Sequence, residues 1–268
     1  RILRVKARMG LLDDVRPSAR KHAGNFALLG APEHRAVARD AVRKSLVLLK
    51  NDARVLPIAP SLDVLVAGDG AHDVGKQSGG WTLSWQGTGN RREHFPNASS
   101  IFEGIRDAVV AGGGTATLSE DGSYDEAPDV AIVVFGEDPY AEGVGDQPDV
   151  NLKNKDIYLI NRVRAHCQRL VVIIFSGRPV IITAQLAKAE AWIAAWLPGT
   201  EGQGIADVLF GDYQPAGKLP YTWPRDATQH PAAGIANPLF PLGYGLELEA
   251  SASMPGESVG VTFYSQRA

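Results

Sequence analysis

DVAIVVFG at residues 129–136 and LVVIIFSG at residues 170–177 are short, β-branched apolar runs that each close on a glycine. A strand with one wet face alternates apolar and polar residues. Runs that are apolar on both sides belong to strands covered on both faces, as in a parallel sheet with helices above and below. Working outward, strand-like segments at 63–67, 116–119, 181–186 and 192–196 alternate with helical patterns at 99–111, 154–166 and 201–210. That alternation predicts an α/β fold, a mostly parallel sheet sandwiched by helices. Ahead of it, Ala36, Val37, Ala41, Val42, Leu46 and Leu49 recur at helical spacing and predict a packed helix over 33–49, with Asn51 as a left-handed stop.

The 268 residues are 44% hydrophobic and 21% charged, enough to bury the core of one large domain. Net charge is −3 and the Lys and Arg residues are scattered, so neither nucleic acid nor an anionic membrane is an expected partner. No run is long and apolar enough for a membrane-spanning helix. The single Cys167 leaves no internal disulfide, and it falls inside a predicted helix beside His166, which does not suggest an activated nucleophile. The six histidines (His22, His34, His72, His94, His166 and His230) lack the spacing of a metal site, so metal catalysis is not expected. Gly68 and Gly70 follow a strand, but Asp73 breaks the GxGxxG fingerprint of a dinucleotide site.

The chain opens on Arg1 with no initiator Met, and residues 1–12 (RILRVKARMGLL) place Ile2, Leu3, Val5, Met9 and Leu12 roughly on one helical face. We expect a fragment, with 1–12 the last helix of a preceding domain, 13–32 an inter-domain linker and 33–246 the sandwich. Residues 247–268 are then a Ser, Ala and Gly-rich linker followed by VGVTFY at 259–264, expected to start a further β module.

In an open parallel sheet ligands bind beyond the carboxyl ends of the strands. Four unusual loops fall there: SGGWTLSWQG at 78–87, GEDPYAEGVGD at 136–146, SGRP at 176–179 and LPGTEGQG at 197–204. Trp81 and Trp85 are flanked by glycines in a loop, which suits stacking on a sugar face as well as local packing. Trp192 and Trp196, evenly spaced on an apolar run, suit the core. The 136–146 loop carries Glu137, Asp138, Glu142 and Asp146; glycoside hydrolysis needs a carboxyl pair, although such a cluster alone also suits solvated surface.

Taken together, RILRVKARMGLLD, HRAVARDAVRKSLVLLKN, GGWTLSWQG, GEDPYAEGVGD, SGRPV, AAWLPGTEGQGIADVLFGDYQPAGKLPYTWP and FPLGYGL resemble, in order, the C-terminal half of family 3 glycoside hydrolases. The nearest pattern is that of exo-β-glucanases and β-glucosidases. The resemblance implies a flavodoxin-like, six-stranded α/β sandwich that lends an acid/base to an active site whose nucleophile lies on an N-terminal barrel domain. It puts the acid/base at Glu142 and an aromatic wall for the leaving sugar at Trp85, with Trp81 as its neighbour. It implies retaining, exo-acting hydrolysis of terminal β-glucosyl residues from β-glucosides or short β-glucans, without cofactor or metal, in the periplasm or outside the cell. Xylosides or other β-glycosides, or a non-catalytic sugar-binding module, are the alternatives. Asp138 and Val144 depart from the plant-type pattern, which has His and Lys there, so linkage preference is expected to differ. Lys218 and Pro220 are read as structural, and Arg178 as a brace.

Overall fold

The computed structural model describes residues 1–229 and 235–248. The expected strand at 259–264 and His230 lie outside the described residues. The chain divides into two compact units, Arg1–Arg35 and Ala36–Ala268. In the first, helix α1 (Ile2–Arg8) buries no residue and leaves Ile2, Leu3, Val5 and the following Met9 exposed.

The second unit is built on one six-stranded sheet. Its strands are β1 (Val47–Asn51), β2 (Asp63–Ala67), β3 (Thr115–Ser119), β4 (Val130–Gly136), β5 (Leu170–Phe175) and β6 (Ala191–Ala194), in the spatial order β1-β6-β5-β4-β2-β3. All neighbours are parallel except β1, which runs antiparallel along β6. The helices are α2 (Pro32–Ser45), α3 (Val74–Ser78), α4 (Ile101–Ala111), α5 (Asn154–Arg164) and α6 (Gln203–Leu209).

The two-sided burial of the central strands follows from their period of two. Val130, Ile132 and Val134 of β4 and Val171 and Ile173 of β5 face Ile101, Ile105 and Val109 of α4 and Ile205 and Val208 of α6. The intervening Ala131, Val133, Phe135, Val172 and Ile174 pack with Leu159, Ile160 and Val163 of α5 and with Trp192 and Trp223. Ser100 and Glu103 close a reciprocal capping box that fixes where α4 begins.

Three local expectations are corrected. The helix expected over 33–49 ends at Ser45, and Val47–Asn51 form the antiparallel edge strand, because five consecutive buried residues fit a strand beside β6 better than a further amphipathic turn. Asn51 is extended, with φ −154°. Its amide instead closes a turn by bonding both the N–H and the carbonyl of Leu56, and the left-handed residues are Ala53 and Arg54. No strand forms at 181–186, which makes a ladder with neither edge of the sheet. Only Ile181 bridges to Asn151, while Ile182 and Leu186 turn into the core.

Smaller readings resolve similarly. Helix α5 stops at Arg164, so Cys167 lies beyond it, buried, with Sγ donating to the Arg169 carbonyl. Trp192 is fully buried on β6. Trp196 sits past the strand end with φ 52°, yet packs on the same cluster, 6.2 Å from the Trp223 ring. Lys218 caps a turn by donating to the Gly245 carbonyl.

Candidate active site

The strand order reverses between β2 and β4: from β2 the chain steps outward to β3, then returns to β4 on the other side. Loops leaving the carboxyl ends of these two strands diverge, and the crevice between them is where such sheets bind ligands. The tryptophan loop follows β2 through α3, and the carboxylate loop follows β4 directly.

The two loops meet at their tips. Trp85 Nε1 donates to Glu142 Oε2 at 2.8 Å. Gln86 clamps the same loop twice, accepting from the Ala141 N–H at 2.8 Å and donating to the Glu142 carbonyl at 3.1 Å. Approach this close requires glycine: a Cβ on Gly80 would lie 1.9 Å from the Tyr140 carbonyl oxygen. Trp81 and Leu83 both adopt φ 60°, a conformation costly for side chains with a Cβ, on the order of 1 kcal/mol or more each. In return, the Trp81 N–H reaches the Trp85 carbonyl at 2.9 Å, and the two indoles stand 6.3 Å apart at 40°. They remain 66% and 57% exposed, so this is an aromatic surface and not a satellite core.

The other two loops join the same edge. The Gly199 N–H donates to the Gln77 carbonyl at 3.1 Å, and Gln77 Nε2 donates back to the Gly199 carbonyl, tying 197–204 to the base of the tryptophan loop. The Ser176 N–H bonds the Trp196 carbonyl, and its hydroxyl donates to the Arg178 carbonyl.

The four carboxylates have separate fates. Glu137 is enclosed: Arg178 Nε and the Tyr140 hydroxyl each donate to it at 2.8 Å, and Arg178 also stacks on Tyr140 and donates to the Gly145 carbonyl. Burial, then the bond to Glu137, push the Tyr140 phenol well above its usual range. Arg178 therefore braces the loop. Asp138 pairs with Lys153 and, at 3.3 Å, with Lys76; burial opposes its charge, but the lysines overcome this and hold it below the usual range. Asp146 is exposed. Glu142 is exposed too, and the Trp85 N–H, followed by a bond from its own backbone, holds its carboxyl below the ordinary range. Only Glu142 pairs with the aromatic surface.

The model of the family 3 C-terminal domain of glycosyl hydrolases matches residues 46–248. The chain belongs to this family. Among solved structures, the family 3 domain is similar to an exo-1,3/1,4-beta-glucanase from a Pseudoalteromonas species, with TM-score 0.87 and 43% identity over 97% of this chain and 34% of that one. Among curated proteins, it is 30% identical to a lysosomal beta glucosidase of Dictyostelium discoideum over 92% of this chain and 33% of that protein. It is 29% identical to a periplasmic beta-glucosidase of Salmonella typhimurium over 91% of this chain and 39% of that protein. The chain thus spans roughly a third of these relatives' length.

The family 3 domain brings Trp81, Trp85 and Glu142 together as a single surface. Reading the sequence missed what arranges them: the Gln86 clamp, the ion pairs of Lys76, and the enclosure of Glu137. The glycines around the tryptophans signal close approach, but nothing local names the partner loop so far along the chain.

Proposed function

We propose that this chain is the acid/base-bearing domain of a retaining, exo-acting β-glucosidase or β-glucanase, completed by a barrel domain that carries the nucleophilic carboxylate. The observation that carries this reading is the Trp85–Glu142 pair at the switch point between β2 and β4, in a family whose relatives are named beta-glucosidases and an exo-1,3/1,4-beta-glucanase. Glu142 protonates the leaving oxygen while the barrel carboxylate attacks the anomeric carbon. As carboxylate it then takes a proton from the water that releases the sugar. Acetal hydrolysis of this kind asks for no cofactor. Trp85 and Trp81 form the wall for the leaving sugar, and the barrel selects the sugar that is cleaved. Because the free carboxyl is held ionised by Trp85, the acid form requires that a docked barrel and bound sugar strip water from Glu142 and raise its pKa. The periplasmic and lysosomal relatives support a location outside the cytoplasm, which we place in the periplasm or beyond the cell.

The test is Glu142→Ala in the domain joined to its barrel. Cellobiose-like substrates with poor leaving groups should slow far more than dinitrophenyl β-glucoside. The activated substrate should then stall as covalent intermediate, and azide should restore turnover with release of β-glucosyl azide. If Asp146→Ala gives this pattern and Glu142→Ala does not, the residue is wrongly assigned. If neither does, the domain serves only to bind sugar.

A further inference from the structure

Beneath the tips of the two loops lies a row of charges that neither the aromatic surface nor Glu142 uses. Lys76, in the last turn of α3 and just ahead of the tryptophan loop, has a side chain only 6% exposed. Its Nζ lies 2.7 Å from Asp69 Oδ2 and 3.3 Å from Asp138 Oδ1, with the Phe175 ring 6.0 Å away. Asp69 also accepts from Lys155, and Asp138 from Lys153. Charges therefore alternate in the order Lys153, Asp138, Lys76, Asp69, Lys155, with α5 and its N-cap supplying the outer lysines and α3 the central one.

We propose that Lys76 is a positioning residue for Glu142: by holding Asp138 from below, it fixes the loop that carries Glu142 against the segment that carries Trp85. The proposal rests on the reading of Glu142 as acid/base, and it adds what places that carboxyl. Asp138 stands four residues before Glu142, with Pro139 and the packed Tyr140 between them to limit slack. Gly143, just past Glu142, has φ 79° and no neighbouring atom within 4 Å of its Cβ position, so nothing packs on the loop at that point. The loop is thus anchored on both sides of Glu142: by Lys76 and Lys153 at Asp138, by Arg178 at Glu137 and at the Gly145 carbonyl, and by Gln86 at Ala141 and at the Glu142 carbonyl.

Of the two lysines on Asp138, only Lys76 can act as a fixed point. Lys153 is 47% exposed, and an exposed ammonium on a flexible stem defines position poorly. A buried ammonium has one place to be, because only the paired carboxylates compensate its lost hydration. Lys76 is also the one lysine of the row that lies on the chain segment between β2 and the tryptophan loop. It therefore couples the two loops directly, where Lys153 and Lys155 only tie each to the start of α5.

The test reads the Trp85–Glu142 contact itself, in this chain, by following the Trp85 indole N–H resonance through a pH titration. In the wild type it should report the Glu142 carboxyl with a midpoint below the ordinary glutamate range. Lys76→Met should move that midpoint up toward the ordinary range, as should Asp138→Asn, which leaves Lys76 its closer partner Asp69. Lys155→Ala, which removes a bond to Asp69 and none to Asp138, should leave it in place. A midpoint unchanged in both Lys76→Met and Asp138→Asn, with melting temperature lowered, would overturn the proposal and reduce the row to a stabilising network.

In the barrel-bearing protein, Lys76→Met should slow poor leaving groups by on the order of tenfold or more while sparing dinitrophenyl glucoside. It should add nothing to Glu142→Ala. Independent, multiplying losses in the double variant would also overturn it. Should Glu142→Ala itself lack leaving-group dependence, the acid/base reading falls, while the indole titration still decides the coupling.

Discussion

Trp85 and Glu142 are 57 residues apart in sequence, yet the indole N–H of one donates to the carboxylate of the other at 2.8 Å. The bond favours ionised Glu142, the form that in the proposed mechanism serves as base when water releases a glycosyl intermediate. It opposes the protonated form needed to expel the leaving group. A sugar that stacks on Trp85 would therefore act on both the aromatic wall and the carboxyl beside it.

Trp85→Phe keeps an aromatic ring and removes the donor. In the isolated chain the Glu142 titration midpoint should rise toward the usual glutamate value, since loss of a donor to the charged form favours the proton. Carbon-13 detection of the side-chain carboxyl measures this directly. A midpoint that stays low would mean that the backbone bond, and not the indole, sets it.

Trp85→Ala removes the proposed wall for the leaving sugar. In the barrel-bearing protein, turnover of disaccharides should fall more than that of small aryl glucosides, because a stacking contact worth on the order of 1 kcal/mol or more is lost only where a second sugar sits. The ratio of kcat/KM values for the two substrate types is the measurement. Equal losses would indicate that Trp85 only packs the loop.

Asp156 offers a test by pH. It is 5% exposed at the start of α5, and its pKa is raised to about 6, first by burial, with Lys155, Lys76 and Lys153 opposing and Asp69 adding. Folding thus favours its protonated form. The cost of ionising it is absent below about pH 4, grows as pH rises toward 6, and is complete above that. Asp156→Asn should relieve on the order of 3 kcal/mol at about pH 7.5 and far less at about pH 4. Urea denaturation of both chains at the two pH values measures the difference; a gain equal at both would show that the carboxyl is not strained.

Arg178→Ala should destabilise the chain by on the order of 1–3 kcal/mol, since it strands Glu137 and the Gly145 carbonyl in a partly buried site. The Tyr140 phenol should then ionise at still higher pH, because a nearby positive charge is gone while burial and Glu137 remain. Denaturation and ultraviolet titration of the tyrosines report the two effects. A phenol that ionises more readily would show that the loop had opened instead.

Much of the fold is legible in the chain because burial on both faces leaves a local mark: the runs at 130–135 and 170–175 are apolar at every position, and they form β4 and β5. Edge structure is not local. Val47–Asn51 continue a helical spacing and become a strand only because β6 offers them an unpaired edge. Residues 181–186 look like a strand and form none, because Ile182 and Leu186 turn into the core and only Ile181 makes a bridge.

The same division holds at the site. Sequence alone, through glycine-flanked tryptophans and ordered motifs, singled out Trp81, Trp85 and Glu142 and placed their loops at strand ends. Only the tertiary structure decided that Glu142 is the carboxylate which meets Trp85, that Glu137 and Asp138 are consumed by Arg178 and the lysines, and that Lys76 lies beneath both loops. Those pairings join residues tens of positions apart, and they depend on the reversal of strand order between β2 and β4, which no short window of sequence encodes.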